Sequence, residues 1–486
     1  MSSNENRNIV KSFFQIGIGT VLGLVIGLLT TPIITRLVEP EEYGKLSIFN
    51  LYLSIAIMVL CLGLDQSLLR FYYKKNDIEY KRKLFTKCFF IPFVLVIVSC
   101  VLFYFGNSFF NNKFEFSNII FVFLLGVVFE FINRFSTLLL RLENHSLSYS
   151  IAGIINKIVY VLCAIAFIKL SGDTSFKFLA ISLILGIAAS CIFGIIINHK
   201  IWKPFFGSGE CQIKISDLLK FGLPFILVSG LEVLFASIDK LCLRYLCDYE
   251  TVGIYSSALS LIRLFNVVQA SFNTVWAPVS VKHYENNPTD THFYSLCNQA
   301  ITVVMFLFGF LIIGSKDLLV FLLGEKYRAA AIILPFLCFH PIMYTISETT
   351  VTGVVVSKKS YLQIIVVCIS CIVNFVGNIV LIPRLGARGA AISTGASYIV
   401  FYLIRTIFGK KYFNFDNAPF KFWMCTLMFV CFSILATFVS NLLLNVLFCI
   451  GCIIIVAILY WKTLIKIATF SKKYIKNMFK RKKRNL

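Results

Sequence analysis

Charge is what this sequence has least of. Asp, Glu, Lys and Arg make up 14% of its 486 residues, against about 25% in an average soluble protein. Acidic residues are the rarest: 23 Asp and Glu stand against 46 Lys and Arg, a net charge of +23. With 58% hydrophobic residues and a mean hydropathy of +0.84, a soluble chain could not clothe its surface. The charge-free stretches are long. No Asp, Glu, Lys or Arg lies between Lys87 and Lys113, or between Lys177 and Lys200. A run of about 20 apolar residues spans a hydrocarbon core of ~30 Å. Soluble enzymes, secreted scaffolds, disordered chains and nucleic-acid binders are therefore disfavoured.

Catalytic and metal signatures are also missing. There is no P-loop, GxSxG, HExxH or DxD-like cluster. The longest connection, about 199–217, is basic, amphipathic and too short for an enzyme domain. The expectation is a non-enzyme with no cofactor and no metal. The 16 cysteines are scattered from Cys61 to Cys452, mostly inside apolar runs, where they act as small hydrophobes. Cys368/Cys371 and Cys449/Cys452 have CxxC spacing without a nearby His, which favours packing over metal or redox chemistry.

What is present is a series of fourteen apolar segments. They cover roughly 11–36, 46–71, 84–106, 116–140, 148–169, 177–198 and 218–243, then 253–280, 293–315, 329–356, 361–382, 388–408, 421–441 and 445–462. Backbone in lipid must satisfy its own hydrogen bonds, which predicts helices, and the alternation of a barrel is absent. The apolar stretch after the polar N-terminus is too long for a signal peptide and reads as an uncleaved first span. With the N-terminus inside, inward segments hold 27 Lys and Arg and outward loops 11. That asymmetry places both termini in the cytoplasm. Lys472 to Leu486 carries eight basic residues and no acid, a topology determinant and anchor on anionic lipid.

The chain repeats itself. Arg36 to Gly44 closes the first span and opens the second; Tyr245 to Gly253, offset by 209 residues, does the same between the seventh and eighth. Leu37/Leu246, Glu39/Asp248, Glu41/Glu250, Gly44/Gly253 and Ser47/Ser256 coincide. The predicted fold is therefore an all-α polytopic membrane protein: two six-helix bundles related by pseudo-two-fold symmetry, plus two C-terminal helices. The divisions are 1–198, a cytoplasmic amphipathic linker at 199–217, 218–409, the extra pair at 421–462 and a polybasic tail at 463–486. Parallel halves of this kind are a secondary-transporter plan with the path between them. Gly19, Gly23 and Gly27 form a small-residue stripe suited to close helix packing.

Ionisable residues inside spans are expensive and face a wet cavity or each other. Glu130 and Arg134, four apart, read first as a local ion pair. Glu232 and Asp239 lie seven apart, on one face of the seventh helix. Asn266, Gln269, Asn273 and Trp276 fall within about 80° on the eighth helix, with Arg263 one sector away. Asn50, Ser54 and Asp65 form a weaker stripe on the second. His340 reads as packed beside Pro341, and Asp239–Lys240 as structural. Lys157 and Arg263 are balanced between structural and transport roles. Cations in a cleft suit an anionic ligand such as a pyrophosphate. Candidate substrate contacts are Lys157, Arg263, Arg134, Asn266 and Asn273; candidates for ion coupling or gating are Asp65, Glu232 and Glu348.

Three motifs carry a family resemblance. Pro32-x-x-Thr35-Arg36-Leu37 followed by Tyr43-Gly44 resembles the first two helices of the polysaccharide flippases of the MOP exporter superfamily. Asp239-Lys240 with Val252-Gly253-Ile254-Tyr255 is similar to their helix 7–8 element. Asn374-x-x-x-Asn378-x-x-Leu381-Ile382-Pro383-x-x-Gly386-x-x-Gly389-Ala390-Ala391 resembles their helix 11–12 signature, the most specific of the three. The resemblance implies a flippase for undecaprenyl-pyrophosphate-linked oligosaccharide units, working by alternating access in O-antigen, capsule or related glycan assembly. It implies a bacterial inner membrane and a monomeric transport unit. Partners would be the lipid-linked oligosaccharide and membrane lipids, with a polysaccharide polymerase as a further candidate and no nucleic acid. The first helix has no charge between Lys11 and Arg36. That separates it from the lipid II flippase branch and from MATE-type exporters with an acid there. Glu232 keeps a cation-coupled (H+ or Na+) multidrug exporter as the alternative.

Overall fold

The computed structural model describes residues 27, 29–109, 113–203, 213–359, 361–439, 441–466 and 469. Most of the expected first span with Gly19 and Gly23, the middle of the linker and nearly all of the polybasic tail lie outside the described residues, as does the side chain of Asn266. Among the described residues, twelve helices are long and apolar enough to cross a membrane. A thirteenth qualifies if Tyr249–Arg263 and Val267–Asn286 are taken as one span. No strand occurs among the described residues.

By compactness the chain divides into Met1–Ser260 with Leu323–Tyr327, and Leu261–Leu322 with Arg328–Leu486. The first unit holds α1 (29–37), α2 (Pro40–Leu60), α3 (Leu64–Phe71), α4 (Ile78–Phe109), α5 (Ile120–Leu142), α6 (Ser146–Ser171), α7 (Phe176–Ile197), α8 (His199–Trp202), α9 (Ile215–Leu246) and the start of α10 (Tyr249–Asn286). The second holds the rest of α10, then α11 (Thr291–Gly314), α12 (Lys316–Phe321), α13 (Ala330–Leu337), α14 (Phe339–Thr350) and α15 (Thr352–Val356). It continues with α16 (Tyr361–Leu385), α17 (Ala387–Tyr412), α18 (Pro419–Phe438) and α19 (Leu442–Leu459).

Local chemistry sets the helix starts. Pro40 and Pro419 open α2 and α18, where a missing N–H costs nothing. Asp248 Oδ1 accepts from Thr251 N (2.7 Å) at the head of α10, Asp290 Oδ1 from Phe293 N (3.2 Å) at α11, and Asn441 Oδ1 from Leu444 N (3.2 Å) at α19.

Two expected spans are interrupted. The second, expected over 46–71, stops at Leu60 and restarts at Leu64, because Leu62 (φ 51°) and Gly63 (φ 65°) adopt left-handed backbone. The tenth, expected over 329–356, is divided into α13, α14 and α15. Pro341, in the first turn of α14, lacks one N–H of the ladder, but Cys338 N and Ile342 N still bond to Leu334 O and Cys338 O, so Ala330–Thr350 remains a single candidate span.

The two repeated segments meet inside the first unit. Their helices begin at Pro40 and Tyr249, 209 residues apart. A Cβ on Gly44 would collide with the Tyr249 carbonyl, and one on Gly253 with the Pro40 carbonyl. Ser47 Oγ and Ser256 Oγ share a hydrogen bond of 2.8 Å. The contact is reciprocal, and only glycine lets the two backbones come this close.

The other motifs also hold separate elements together. Thr35 Oγ1 accepts from Gly324 N (3.2 Å), and Tyr327 Oη donates to Val38 O (3.0 Å), which seats residues 323–327 on the α1–α2 turn. Asp239 is buried and accepts from Tyr255 Oη at 2.7 Å. In the second unit, Ser393 Oγ of α17 donates to Asn374 O (2.7 Å) and Oδ1 (3.0 Å) of α16, and Asn378 Nδ2 joins at 3.2 Å. Interhelical hydrogen bonds in lipid contribute about 0.6–2 kcal/mol each.

Candidate transport site

The break in the second span builds a polar pocket in the first unit. Gly63 backs onto the Gly222 carbonyl of α9 with no room for a side chain. Ser67 Oγ, one turn into α3, donates to Leu218 O at 2.6 Å. These contacts hold the head of α3 against α9. Asp65, its second residue, is 5% exposed and sits where the helix dipole favours a carboxylate. Its Oδ2 accepts from Arg134 Nη2 (2.7 Å) and Nε (3.1 Å) of α5, and from Gln66 Nε2 (3.0 Å).

Around this pair lies a cavity of about 190 Å³, lined by Ser54, Met58, Cys61, Asp65, Gln66, Glu130, Arg134 and Ser229 among others. The Arg134 side chain remains 52% exposed although it is bonded. The site thus offers a guanidinium with open donors, one carboxylate bonded to it and a second carboxylate, Glu130, in the same pocket. The sequence reading paired Arg134 with Glu130 along one helix. In the structure its ion pair is with Asp65, because the broken span turns that carboxylate towards α5.

The other candidates lie elsewhere. Lys157 of α6 is half-buried, and its Nζ occupies the space a Cβ on Gly27 would need. Gly27 therefore makes room for a lysine. Glu232 is exposed on α9 while Asp239 is buried, so the two do not share an environment. In the second unit Arg263 is exposed, and Asn273 is half-buried with its Oδ1 lacking a partner among the described residues.

Glu348 has a partner that sequence reasoning missed. Arg405 of α17 is 6% exposed and donates through Nη1 to Glu348 Oε1 (2.9 Å) and Ser347 Oγ (2.7 Å). Its guanidinium lies over the rings of Tyr344 (5.3 Å) and Phe401 (5.4 Å). Trp276 Nε1 donates to the Glu348 carbonyl at 3.0 Å, which uses the polar stripe of α10. A basic residue inside a predicted span was the available signal for Arg405. His340 stacks on Tyr398 at 4.3 Å.

A third cluster ties α2, α9 and α10 to the α4–α5 connection. Glu115, between α4 and α5, accepts from Tyr52 Oη (2.8 Å), Arg244 Nε and Tyr249 Oη. Burial pushes this carboxyl up, but the bonds from Tyr249, Arg244 and Tyr52 outweigh it and hold the group below the usual carboxylate range.

Among the described residues no group of three or more His, Cys, Asp or Glu could hold a metal ion. The described residues thus form a multi-pass helical fold with a charged pocket at a broken span. Residues 9–284 match the family described as polysaccharide biosynthesis protein, so the chain belongs to that family. An uncharacterized membrane protein of Methanocaldococcus jannaschii is 22% identical over 456 residues, covering 85% of this chain and 87% of that protein. Among solved structures, the lipid II flippase MurJ in an inward closed conformation aligns with TM-score 0.69 at 17% identity, over 92% of this chain and 99% of that one. An inward-facing multidrug resistance MATE family transporter of the MOP superfamily aligns with TM-score 0.56 at 16% identity, over 83% and 96%. The resemblance to the polysaccharide family read from the motifs is borne out, and the solved structures share its fold.

Proposed function

We propose that the protein flips undecaprenyl-pyrophosphate-linked oligosaccharide units across a bacterial inner membrane by alternating access, for O-antigen, capsule or a related surface glycan. The observation that carries this reading is the half-exposed Arg134 in a membrane-embedded pocket. Its bond to Asp65 is one that a pyrophosphate can replace, since guanidinium binds phosphate and carboxylate with the same fork geometry. Displacement frees Asp65 to take up a proton or cation beside Glu130, which links substrate entry to ion binding. Lys157 and Arg263 are the further cations for the head group, Asn266 and Asn273 the amides for its hydroxyls, and Glu232 and Glu348 further coupling or gating groups. Both termini lie in the cytoplasm in this reading, the transport unit is a monomer, and a polysaccharide polymerase is a partner.

The pairing of Asp65 with Glu130 in one pocket also suits a cation-coupled multidrug exporter, which is the second reading. One experiment separates them. Chromosomal Arg134→Gln, checked for normal membrane insertion, should abolish surface glycan and leave resistance to cationic drugs unchanged. Normal glycan with new drug sensitivity would establish the exporter instead.

A further inference from the structure

The first unit has a second and larger cavity that the transport reading does not use. It measures about 700 Å³ and lies among α2, α4, α5 and α9, apart from the Asp65–Arg134 pocket. Its wall is apolar: Ile55, Leu60, Phe103, Leu124 and Val127. Its rim is not. Tyr52, Lys113, Glu115 and Arg244 stand at one end. Along α2 the lining runs from Tyr52 to Leu60, eight steps of 1.5 Å or ~12 Å. Half of a ~30 Å hydrocarbon core is about 15 Å. The crevice therefore reaches from the loop end of the helices to near mid-bilayer.

The neighbouring surface is equally apolar. Val101, Leu102, Phe105, Phe121 and Leu125 are all exposed on α4 and α5. In a bilayer this face meets lipid, and an open apolar crevice on it would forfeit the dispersion contacts of its whole lining unless a chain filled it. The rim gives the occupant a charge. Glu115 is saturated by Tyr52, Arg244 and Tyr249, and it neutralises Arg244. Lys113 is exposed and has no ion-pair partner among the described residues, which leaves one positive charge at the rim. Tyrosines at the rim are the residues that favour the headgroup level.

We propose that this crevice binds one acyl chain of an anionic phospholipid, with its phosphate on Lys113. The chain fills the space between α4, α5 and α9 below the Glu115 cluster, so the bound lipid is a structural filler of the unit rather than the transported substrate. Its single-leaflet depth favours an ordinary phospholipid chain over a longer polyprenyl chain.

The test uses the full-length protein in detergent micelles with three photoreactive probes. These are phosphatidylglycerol and phosphatidylcholine, each carrying a diazirine in the acyl chain, and a diazirine-bearing polyprenyl phosphate. Labelled peptides are mapped by mass spectrometry. Phosphatidylglycerol should label the segments holding Phe103 and Leu124 in preference to the other two. Ala56→Trp, which fills the crevice, should cut that labelling by about tenfold, a loss of about 1.4 kcal/mol in binding. Lys113→Gln, a surface change that leaves the helices intact, should erase the preference over phosphatidylcholine while chain labelling persists. Equal labelling by the two phospholipids in the unmodified protein would overturn the proposal. So would preferential capture of the polyprenyl phosphate, or a preference that survives Lys113→Gln.

Discussion

The reciprocal glycine contact between α2 and α10 makes a quantitative prediction. Gly44→Ala places a methyl against the Tyr249 carbonyl, and Gly253→Ala places one against the Pro40 carbonyl. Both obstacles are backbone, so no side chain can swing aside. Carbon atoms are comfortable at ~3.5–4.0 Å, so the helices must part by roughly 1 Å or more. Overpacking of this kind costs about 1–3 kcal/mol. Parting also stretches the 2.8 Å Ser47–Ser256 bond, with a loss of about 0.6 kcal/mol. Alanine returns up to about 1 kcal/mol of helix propensity at each position. Each single variant should then lose about 1–2 kcal/mol. The double variant should lose less than the sum by at least ~0.5 kcal/mol, because a gap opened for one methyl already admits the other. Detergent-to-denaturant unfolding of the purified protein, followed by tryptophan fluorescence, measures all four members of the cycle. Strict additivity, or a neutral Gly253→Ala beside a damaging Gly44→Ala, would refute the reasoning.

Three further predictions follow from the charged clusters. Asp65→Asn and Arg134→Gln should each destabilise by about 1–3 kcal/mol, discounted from a fully buried pair because Arg134 is half exposed, and the double variant should recover part of that in the same unfolding assay. Glu115 is held below the ordinary carboxylate value of ~4.3. Its stabilisation is therefore full above that value and lost as pH falls through the lower folded one, so Glu115→Gln should flatten the acid limb of a stability-versus-pH curve. An unchanged acid limb would remove the cluster from the account. Arg405→Met should cost about 3–5 kcal/mol by stranding Glu348, and adding Glu348→Gln should restore much of it; Arg405→Lys should fall between, since lysine cannot lie flat over Tyr344 and Phe401.

The reach of the sequence differs between the helices and the site. Helix positions were legible because lipid imposes a length and a composition on every span. The expected 361–382 and 388–408 correspond to Tyr361–Leu385 and Ala387–Tyr412. The break at Leu62–Gly63 was not legible, since a single glycine inside an apolar run is ordinary and only Gly222 across the contact makes it necessary. Sequence spacing pairs Arg134 with Glu130 along the helix, whereas its partner lies across space at Asp65. Arg405 was overlooked because its meaning depends on Glu348, 57 residues away in the chain.

By itself the sequence determined the membrane class, the approximate position of most described helices and the family, since hydrophobic length, charge pattern and motif spacing are local properties of the chain. The 209-residue repeat was visible in it too. Only the tertiary structure decided that the repeated segments touch, which carboxylate holds Arg134, and that an apolar crevice opens beneath Glu115. Those outcomes depend on which backbones glycine allows into contact, and a helix's neighbours are not written into its own periodicity.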